Sequence, residues 1–298
     1  NCGIVNKNEG YGAVDFLADQ IVSRGGLFLL DESPNAYLTQ QVLELCKCFG
    51  HEKDFLCVNA QSPEVSNTYN PILYGTPDEV AERILSLLPD TNDSAGADYY
   101  KQSAKQGISA IVGVLKSRDV AYGFDLLRSL LTGGDEEVFK YFLCLANSLP
   151  EDVPARKNLV AFLDRYAKES IGHGKIDLVK IDLNKMKAVL GGIWSRMHQL
   201  GTGGFGKGLN SLKPDVNLYE AIRDNKIVCI ILPTGGLGTV GESIGRLAVS
   251  DLHSAVSRLR EDGLTHSVDS FKSFVGNQWV ASLPAGVRNC EPVFKSVV

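Results

Sequence analysis

The segment SRGGLFLLDE, residues 23–32, decides the fold class of this chain. It begins where a run with the apolar spacing of a helix, residues 13–23, meets two glycines. The four apolar residues at 27–30 form an uninterrupted run of strand length, which is typical of a strand covered on both faces. Such strands occur in parallel sheets with helices on either side, so the segment predicts an α/β protein.

Further segments extend this pattern along the chain. Residues 37–49 have helical spacing and are followed by FLCV at 55–58, a second run typical of a buried strand. Much later, residues 226–232 form a strongly apolar strand, and after a glycine-rich turn residues 242–260 have the spacing of a long amphipathic helix. Helices and strands alternate through short joints, which predicts one mostly parallel sheet.

The residues between these α/β parts have a different pattern. Helical spacing dominates from residue 76 to residue 200, and no convincing strand interrupts it. We therefore predict an α/β domain in two parts, residues 1–75 and 201–262, with an all-α domain inserted at residues 76–200. Residues 263–298 stay unassigned, apart from a candidate strand at 271–275.

Composition argues against several functional classes. The chain has 298 residues and a net charge of −5, whereas a dedicated nucleic-acid module is usually basic, so any DNA contact must be local. No run approaches the roughly 18–20 apolar residues of a membrane span. The 7 cysteines and 5 histidines show no metal-site or catalytic spacing. No metal site is therefore predicted, and reduced thiols indicate a cytoplasmic location.

Three glycine-bearing stretches have features of phosphate loops, in which backbone N–H groups converge on an anion at a helix N-terminus. The first fits G-x-G-x-x-G through Gly236, Gly238 and Gly241, between a predicted strand and a predicted helix. It lacks the acidic residue at the end of a following strand that binds the ribose of a dinucleotide. A flexible strand-to-helix loop is therefore favoured over a dinucleotide site.

The second stretch, residues 201–208, fits G-x-x-x-x-G-K with Lys207 as its lysine. Gly208 follows, so the hydroxyl that holds magnesium in a P-loop is missing. A predicted helix precedes the stretch where a strand is required, and the residues after it do not begin a helix. We interpret it as a linker that leaves the all-α domain.

The third stretch, residues 3–10, precedes the first predicted helix, where a P-loop belongs in a nucleotide-binding α/β domain. It contains Gly3 and Lys7, but Glu9 and Gly10 stand where the phosphate-binding Lys and the Ser or Thr should be. A carboxylate at that place repels a triphosphate. The stretch is therefore a degenerate phosphate loop.

Asp31 and Glu32 follow the first predicted strand. An apolar strand that ends in two carboxylates mimics the segment that positions magnesium and water in ATPases. Strand-end carboxylates are also common as helix caps, and Pro34-Asn35 suits a plain turn. Both interpretations stay open.

Basic residues recur on the predicted helices of the all-α domain. Arg156 and Lys157 are the first candidates among these surface charges for contact with DNA or cargo. Acidic residues are interleaved with them throughout, so a solvated helical surface is the alternative.

The order of these parts resembles the coupling proteins of conjugation and type IV secretion, the TraD/TraG-like group with its DotL-like members. Residues 23–31 look like the family's strand that ends in an Asp, residues 54–59 like its next strand, and residues 69–72 like the x-N-P turn that follows. Residues 97–104 look like the entry to the family's all-α domain. Residues 225–233 look like its strand-Leu-Pro segment, and residues 245–248 like part of the helix beyond.

The resemblance implies a RecA-like nucleotide-binding domain with an inserted all-α domain, and ATP with magnesium as its cofactors. It also implies a homo-oligomer, a hexamer in the family, at the inner face of the bacterial inner membrane and anchored by a segment outside this chain. The implied partners are secretion-system subunits and a DNA or protein substrate. Aligned on Asp31, the family's P-loop Lys and Ser/Thr fall on Glu9 and Gly10, and its later Asp-Glu strand has no counterpart at 263–298.

Three functional hypotheses follow. The favoured one is a coupling-protein-like component that recruits DNA or protein substrate, with ATPase activity impaired or absent. The second is an active DNA-translocating ATPase with an atypical or truncated site. The third is a dinucleotide-binding α/β enzyme that uses the loop from Gly236 to Gly241.

Overall fold

The computed structural model describes residues 11–59, 62–88, 95–172, 174–232, 238–275 and 278–280. These residues form two compact units. The sheet unit comprises the described parts of Asn1–Thr68, Asp215–Gly245 and Leu252–Val298. The helical unit comprises those of Tyr69–Pro214 and Arg246–Asp251.

The described elements follow one another in a simple order along the chain. The strands are β1 Leu27–Asp31, β2 Phe55–Asn59, β3 Ile227–Ile231, β4 Lys272–Val275 and β5 Gln278–Val280. The helices are α1 Tyr11–Val22, α2 Tyr37–Phe49, α3 Pro77–Leu85, α4 Ala95–Ser117, α5 Phe124–Thr132, α6 Glu136–Asn147, α7 Pro154–Asp164, α8 Leu183–Gly201, α9 Gly203–Leu209, α10 Leu218–Arg223, α11 Gly238–Glu261 and α12 Thr265–Ser270.

One mostly parallel sheet organises the sheet unit. Its strand order is β2-β3-β1-β4-β5, in which β1 to β4 run parallel and β5 pairs antiparallel with β4. Leu27 of β1 lies opposite Ile227 of β3 on one side and Lys272 of β4 on the other. The predicted α/β class, with one mostly parallel sheet and an all-helical insertion, is confirmed. The candidate strand at 271–275 is β4.

The central position of β1 follows from its sequence, which has no polar face before Asp31. Leu27 and Leu29 belong to a core cluster with residues of α1, α2, β3 and β4. Its other buried members are Leu17, Ile21, Leu38, Val42, Leu45, Cys46, Ile227, Cys229 and Phe274. On the opposite face Phe28 and Leu30 are fully buried as well. Both faces are therefore covered, as expected for an apolar interior strand.

A capping box begins α3, the first helix of the helical unit. The side-chain oxygen of Thr76 accepts the N–H of Glu79 at 3.2 Å, and the Glu79 carboxylate accepts the N–H of Thr76 at 2.6 Å. In the described part of 100–200, the strand-like pairing consists of an isolated bridge between Ala167 and Ile181. None of the described helices combines the length and apolarity that a bilayer crossing requires.

The helical unit starts earlier and ends later in the structure than the sequence suggested. It starts at Tyr69 because the turn at 69–72 is buried within it. The Asn70 side-chain amide donates to the carbonyls of Tyr122 and Ser211, at 2.9 and 3.0 Å. The unit extends to Pro214 because the residues after α8 continue as helix. Turn residues with buried hydrogen bonds of this kind have no periodic signal in the sequence.

Candidate functional site

The carboxyl edge of the sheet has a topological switch point between β1 and β3. The chain leaves β1 through α2 to reach β2 on one side, and leaves β3 through α11 to reach β4 on the other. Because crossovers between parallel strands are right-handed, these connections lie on opposite faces of the sheet. The crevice outside the carboxyl ends of β1 and β3 is therefore the place where open α/β sheets bind ligands.

Asp31 ends β1 at this switch point, and its carboxylate is fully engaged inside the protein. Its Oδ1 accepts the N–H of Ser33 at 2.9 Å and also the Ser33 hydroxyl. Its Oδ2 accepts the N–H and the hydroxyl of Thr39, at 2.7 and 2.6 Å. The residue is completely buried and ties the end of β1 to the first turn of α2. The geometry matches the capping interpretation, since a magnesium ion would have to displace these donors.

Glu32 follows Asp31 and presents the free carboxylate of this edge. It is partly exposed and has no side-chain hydrogen bond or ion pair to a described residue. Burial, followed by the charge of Asp31, raises the pKa of the Glu32 carboxyl above its ordinary value.

The chain after β3 passes directly beside Asp31. The N–H of Leu232 donates to the Asp31 carbonyl at 3.0 Å. Gly236 lies outside the described residues, which resume at Gly238, the first residue of α11. Gly238 and Gly241 are therefore helical, and the expectation that a glycine-rich turn extends to residue 241 is wrong. The helix starts earlier because its buried apolar stripe already includes Val240.

The degenerate phosphate loop leads into α1. Its residues Gly3, Lys7, Glu9 and Gly10 lie outside the described part of the chain. At the far end of α1, the Gln20 side-chain amide donates to the carbonyls of Gly26 and Ser270, at 2.8 and 2.6 Å, which precede β1 and β4. A helix of 12 residues is about 18 Å long, close to the roughly 16 Å of a strand of 5 residues. Tyr11, the first residue of α1, lies at the opposite end of the helix from this anchor at Gln20.

Residues 201–208 form a helix–helix corner in the helical unit. Gly201 ends α8 and α9 begins at Gly203, so the interpretation of this stretch as a linker is wrong. A Cβ on Gly206 would lie 2.4 Å from the Gly201 carbonyl oxygen, and a Cβ on Gly201 would lie 2.7 Å from a carboxylate oxygen of Asp125. These glycines therefore allow close backbone packing beside an acidic side chain. Lys207 is exposed on α9 and does not belong to the sheet unit.

Arg156 is buried, so the prediction that it is a surface charge is wrong. Its guanidinium donates to the carbonyls of Asn147, Leu149 and Gly174, including 3.2 Å to Asn147 and 2.8 Å to Gly174. The end of α6 leaves carbonyls that need donors, and Arg156 supplies them. Lys157 is exposed, and its contact with DNA or cargo stays a prediction.

Two polar groups of the structure were not anticipated from the sequence. Thr39, eight residues after Asp31 in the chain, donates two of the hydrogen bonds to its carboxylate. No sequence motif marks a Thr at that spacing as a partner of a strand-end Asp. Arg83 is completely buried and forms an ion pair with Asp251 at 2.9 Å. A signal for Arg83 was present, because it lies on the same face of α3 as the buried Val80 and Ile84.

Comparison with solved structures finds several similar chains, two of which are structures of one protein. The chain is similar to the conjugative coupling protein TrwB. The match to bacterial TrwBdeltaN70, in its unbound monoclinic form, has 10% identity and a TM-score of 0.38 and covers 86% of this chain. The match to plasmid TrwB in complex with the non-hydrolysable GTP analogue GDPNP has 11% identity and a TM-score of 0.35, again over 86% of this chain.

The chain spans 63% and 57% of the lengths of those two TrwB chains. TrwB is a coupling protein, the group that the ordered sequence segments resemble. No family model and no curated protein matches the chain.

Proposed function

We propose that the chain is a coupling-protein-like component of a bacterial conjugation or type IV secretion machine, which recruits DNA or protein substrate without motor-type ATP hydrolysis. One observation supports the absence of motor-type ATP hydrolysis. Both carboxylate oxygens of Asp31, at the switch point of the sheet, already accept hydrogen bonds from the protein itself. A strand-end Asp in that state supports α2 and does not serve a magnesium ion.

The coupling-protein-like role rests on the order of the segments that resemble the family and on where those segments lie in the fold. Residues 23–31 include the central strand β1, 54–59 include β2, and 225–233 include β3. The segment at 97–104 lies in α4, early in the helical unit, and 245–248 lies in α11. The inserted helices thus interrupt the sheet between β2 and β3, in the order that the family resemblance implies.

The phosphate chemistry supports loss of hydrolysis. A P-loop needs a Lys that bridges the β- and γ-phosphates and a hydroxyl that holds magnesium, and Glu9 and Gly10 provide neither. A carboxylate about 4 Å from a phosphate is repelled by about 4 kcal/mol at an effective dielectric near 20, which lowers the affinity for the nucleotide roughly a thousandfold. Among the described residues, no group of three or more His, Cys, Asp or Glu side chains is arranged to hold a metal ion. The residues therefore do not fit ATP with magnesium.

Nucleotide is nevertheless the ligand to test first at the carboxyl edge. TrwB has been solved with a GTP analogue, and Glu32 is a carboxyl with a raised pKa directly after β1. The hexameric assembly, the secretion-system partners and the position at the inner membrane belong to the same proposal, and they rest on the sequence resemblance.

Steady-state phosphate release by the purified chain, with Mg-ATP and with or without DNA, tests the loss of hydrolysis. The parent is compared with Lys7→Ala, Lys207→Ala and Glu32→Gln. We expect background turnover in all four proteins, because neither lysine can replace the missing P-loop pair. Lys207→Ala is the matched control, since Lys207 lies in the helical unit.

Turnover of about 1 s⁻¹ or more in the parent that disappears in Lys7→Ala or Glu32→Gln would contradict the proposal. That result would favour an active motor with an unusual phosphate loop. Tight binding of a nicotinamide dinucleotide in a parallel titration would instead favour the third hypothesis from the sequence.

A further inference from the structure

The helical unit contains a large open groove at one end. It lies among the joint at Gly133 and Gly134, one side of α6, Lys168, the segment at 175–182 and the start of α8. Its volume is about 1140 Å³, above the roughly 300–1,000 Å³ of typical small-molecule sites. The groove therefore has room for a segment of polypeptide.

Three exposed lysines on the walls of this groove are unpaired within the described part of the chain. Lys168, Lys175 and Lys187 make no side-chain hydrogen bond or ion pair to any residue that the structure describes. Lys140 also lines the groove but is already paired with Glu137 at 2.8 Å. The three unpaired lysines, which we call the lysine rim, present ammonium groups from two different elements to whatever enters.

Two of the three carboxylates that line the groove are engaged with the backbone, and the third, Glu136, is exposed at the start of α6. Asp177 accepts the N–H of Val179 at 3.2 Å. Asp182 caps α8 and accepts the N–H groups of Asn184 and Lys185, at 3.1 and 3.0 Å. A carboxylate at a helix N-terminus is compensated by the helix dipole, so these acids offset the lysine rim less than their number suggests.

Apolar side chains form the remaining surface of the groove. Leu143, Ile176 and Ile181 contribute buried side chains to its floor. Val179 is 77% exposed on its edge, next to Leu178, which is half-buried. An apolar side chain that docked here would bury Val179 and continue the core of the helical unit.

We propose that this groove binds an acidic peptide segment that carries an apolar anchor residue. The lysine rim matches carboxylates by charge, and the floor with Val179 matches the anchor. DNA fits less well, because its phosphates match the lysine rim but leave Val179 and the apolar floor without a counterpart. The inference rests on the proposed recruiting function and specifies that function's substrate class as a protein with an acidic docking segment.

Fluorescence anisotropy with the full chain tests the proposal. The probes are a labelled peptide of Glu and Leu residues, the same peptide with Gln or with Lys in place of Glu, and a labelled DNA duplex. The test variants are the triple substitution Lys168→Gln, Lys175→Gln, Lys187→Gln and the single substitution Val179→Ser. Lys157→Gln is the matched control, because Lys157 is an exposed lysine of the same unit outside the groove.

We expect the acidic peptide to bind and its affinity to fall on the order of tenfold in the triple variant and severalfold in Val179→Ser. Lys157→Gln should bind the acidic peptide like the parent. Added salt should weaken peptide binding by the parent more than peptide binding by the triple variant. Circular dichroism checks that each variant is folded; since none of the three lysines is bonded to a residue that the structure describes, folding should be unaffected.

Equal binding of the acidic and the Lys-containing peptides, or no binding of the acidic peptide at low salt, would overturn the proposal. Binding of the DNA duplex that depends on the lysine rim would also overturn it, in favour of a nucleic-acid surface. Phosphate release at a motor rate would contradict the proposed function and leave the groove unaffected, so the two failures can be told apart.

Discussion

At the scale of single residues, Arg83 and Asp251 form an ion pair that is buried within the helical unit. Both side chains are almost completely excluded from solvent and lie 2.9 Å apart, and the Tyr69 hydroxyl donates to Asp251 at 2.8 Å. Burial, followed by the Asp251 charge, raises the pKa of Tyr69, so this hydroxyl stays protonated and keeps its role as donor. Within the described residues, Nε and Nη2 of Arg83 lack a hydrogen-bond partner.

The first prediction is that removing one member of this pair strongly destabilises the helical unit. Asp251→Asn leaves a buried guanidinium without a counter-charge, and Arg83→Met leaves a buried carboxylate without its counter-charge. Each variant should lower the free energy of unfolding by about 3–5 kcal/mol. Denaturant titration followed by circular dichroism measures the change.

The double variant Arg83→Met with Asp251→Leu should lose less stability than either single variant, because no unpaired charge is left behind. Lys140→Met serves as the control, since its partner Glu137 is exposed and the pair should contribute nothing measurable. If Asp251→Asn were as stable as the parent, the ion pair could not be the interaction that holds this cluster together.

At the scale of elements, the corner between α8 and α9 depends on which glycine faces the neighbouring backbone. Gly206 is buried against the Gly201 carbonyl, whereas a Cβ on Gly204 would meet open space. Both residues lie in α9, so they share the same intrinsic cost of glycine in a helix.

The second prediction uses this difference. Gly206→Ala should lower the free energy of unfolding by about 1–3 kcal/mol, because the added methyl group forces the two helices apart. Gly204→Ala should raise it by up to about 1 kcal/mol, because alanine is the better helix former. Thermal and denaturant unfolding of the two variants measure both signs. Destabilisation by both substitutions alike would mean that the corner needs flexibility and not close packing.

At the scale of the whole molecule, charge bears on the choice between DNA and protein as the recruited substrate. The net charge is −5, and the burial of Arg156 removes one of the two cations that favoured a DNA surface. Sequence-independent DNA binding depends on cations that can replace the counterions of the phosphates. A chain with an acidic balance has to concentrate such cations locally.

The third prediction is that the purified chain binds a non-specific duplex more weakly than about 10⁻⁵ M at physiological salt. Lys157→Gln should reduce the slope of log affinity against log salt concentration by about 0.9 if Lys157 contacts a phosphate. Fluorescence anisotropy over a salt series measures both quantities. Nanomolar binding of random duplexes at physiological salt would show that acidic composition does not limit DNA contact here.

The sequence by itself determined the class of the fold and most of its elements. The apolar runs at 27–30 and 226–232 have no polar face, so they had to become interior strands of one sheet. The helical spacing of residues 76–200 likewise required an all-helical insertion. These features are local, because periodicity and capping residues are read within one or two turns of chain.

Tertiary structure alone decided the surroundings of the polar residues. Thr39 meets Asp31, and Asp251 meets Arg83, across separations in the chain that carry no repeating pattern. The sequence could place Asp31 and Glu32 at the end of a strand, but not say which carboxylate would be consumed by donors and which left free. That outcome depends on how α2 packs onto β1. Buried polar groups are paired wherever the fold brings a partner, so their roles follow from packing and not from local sequence.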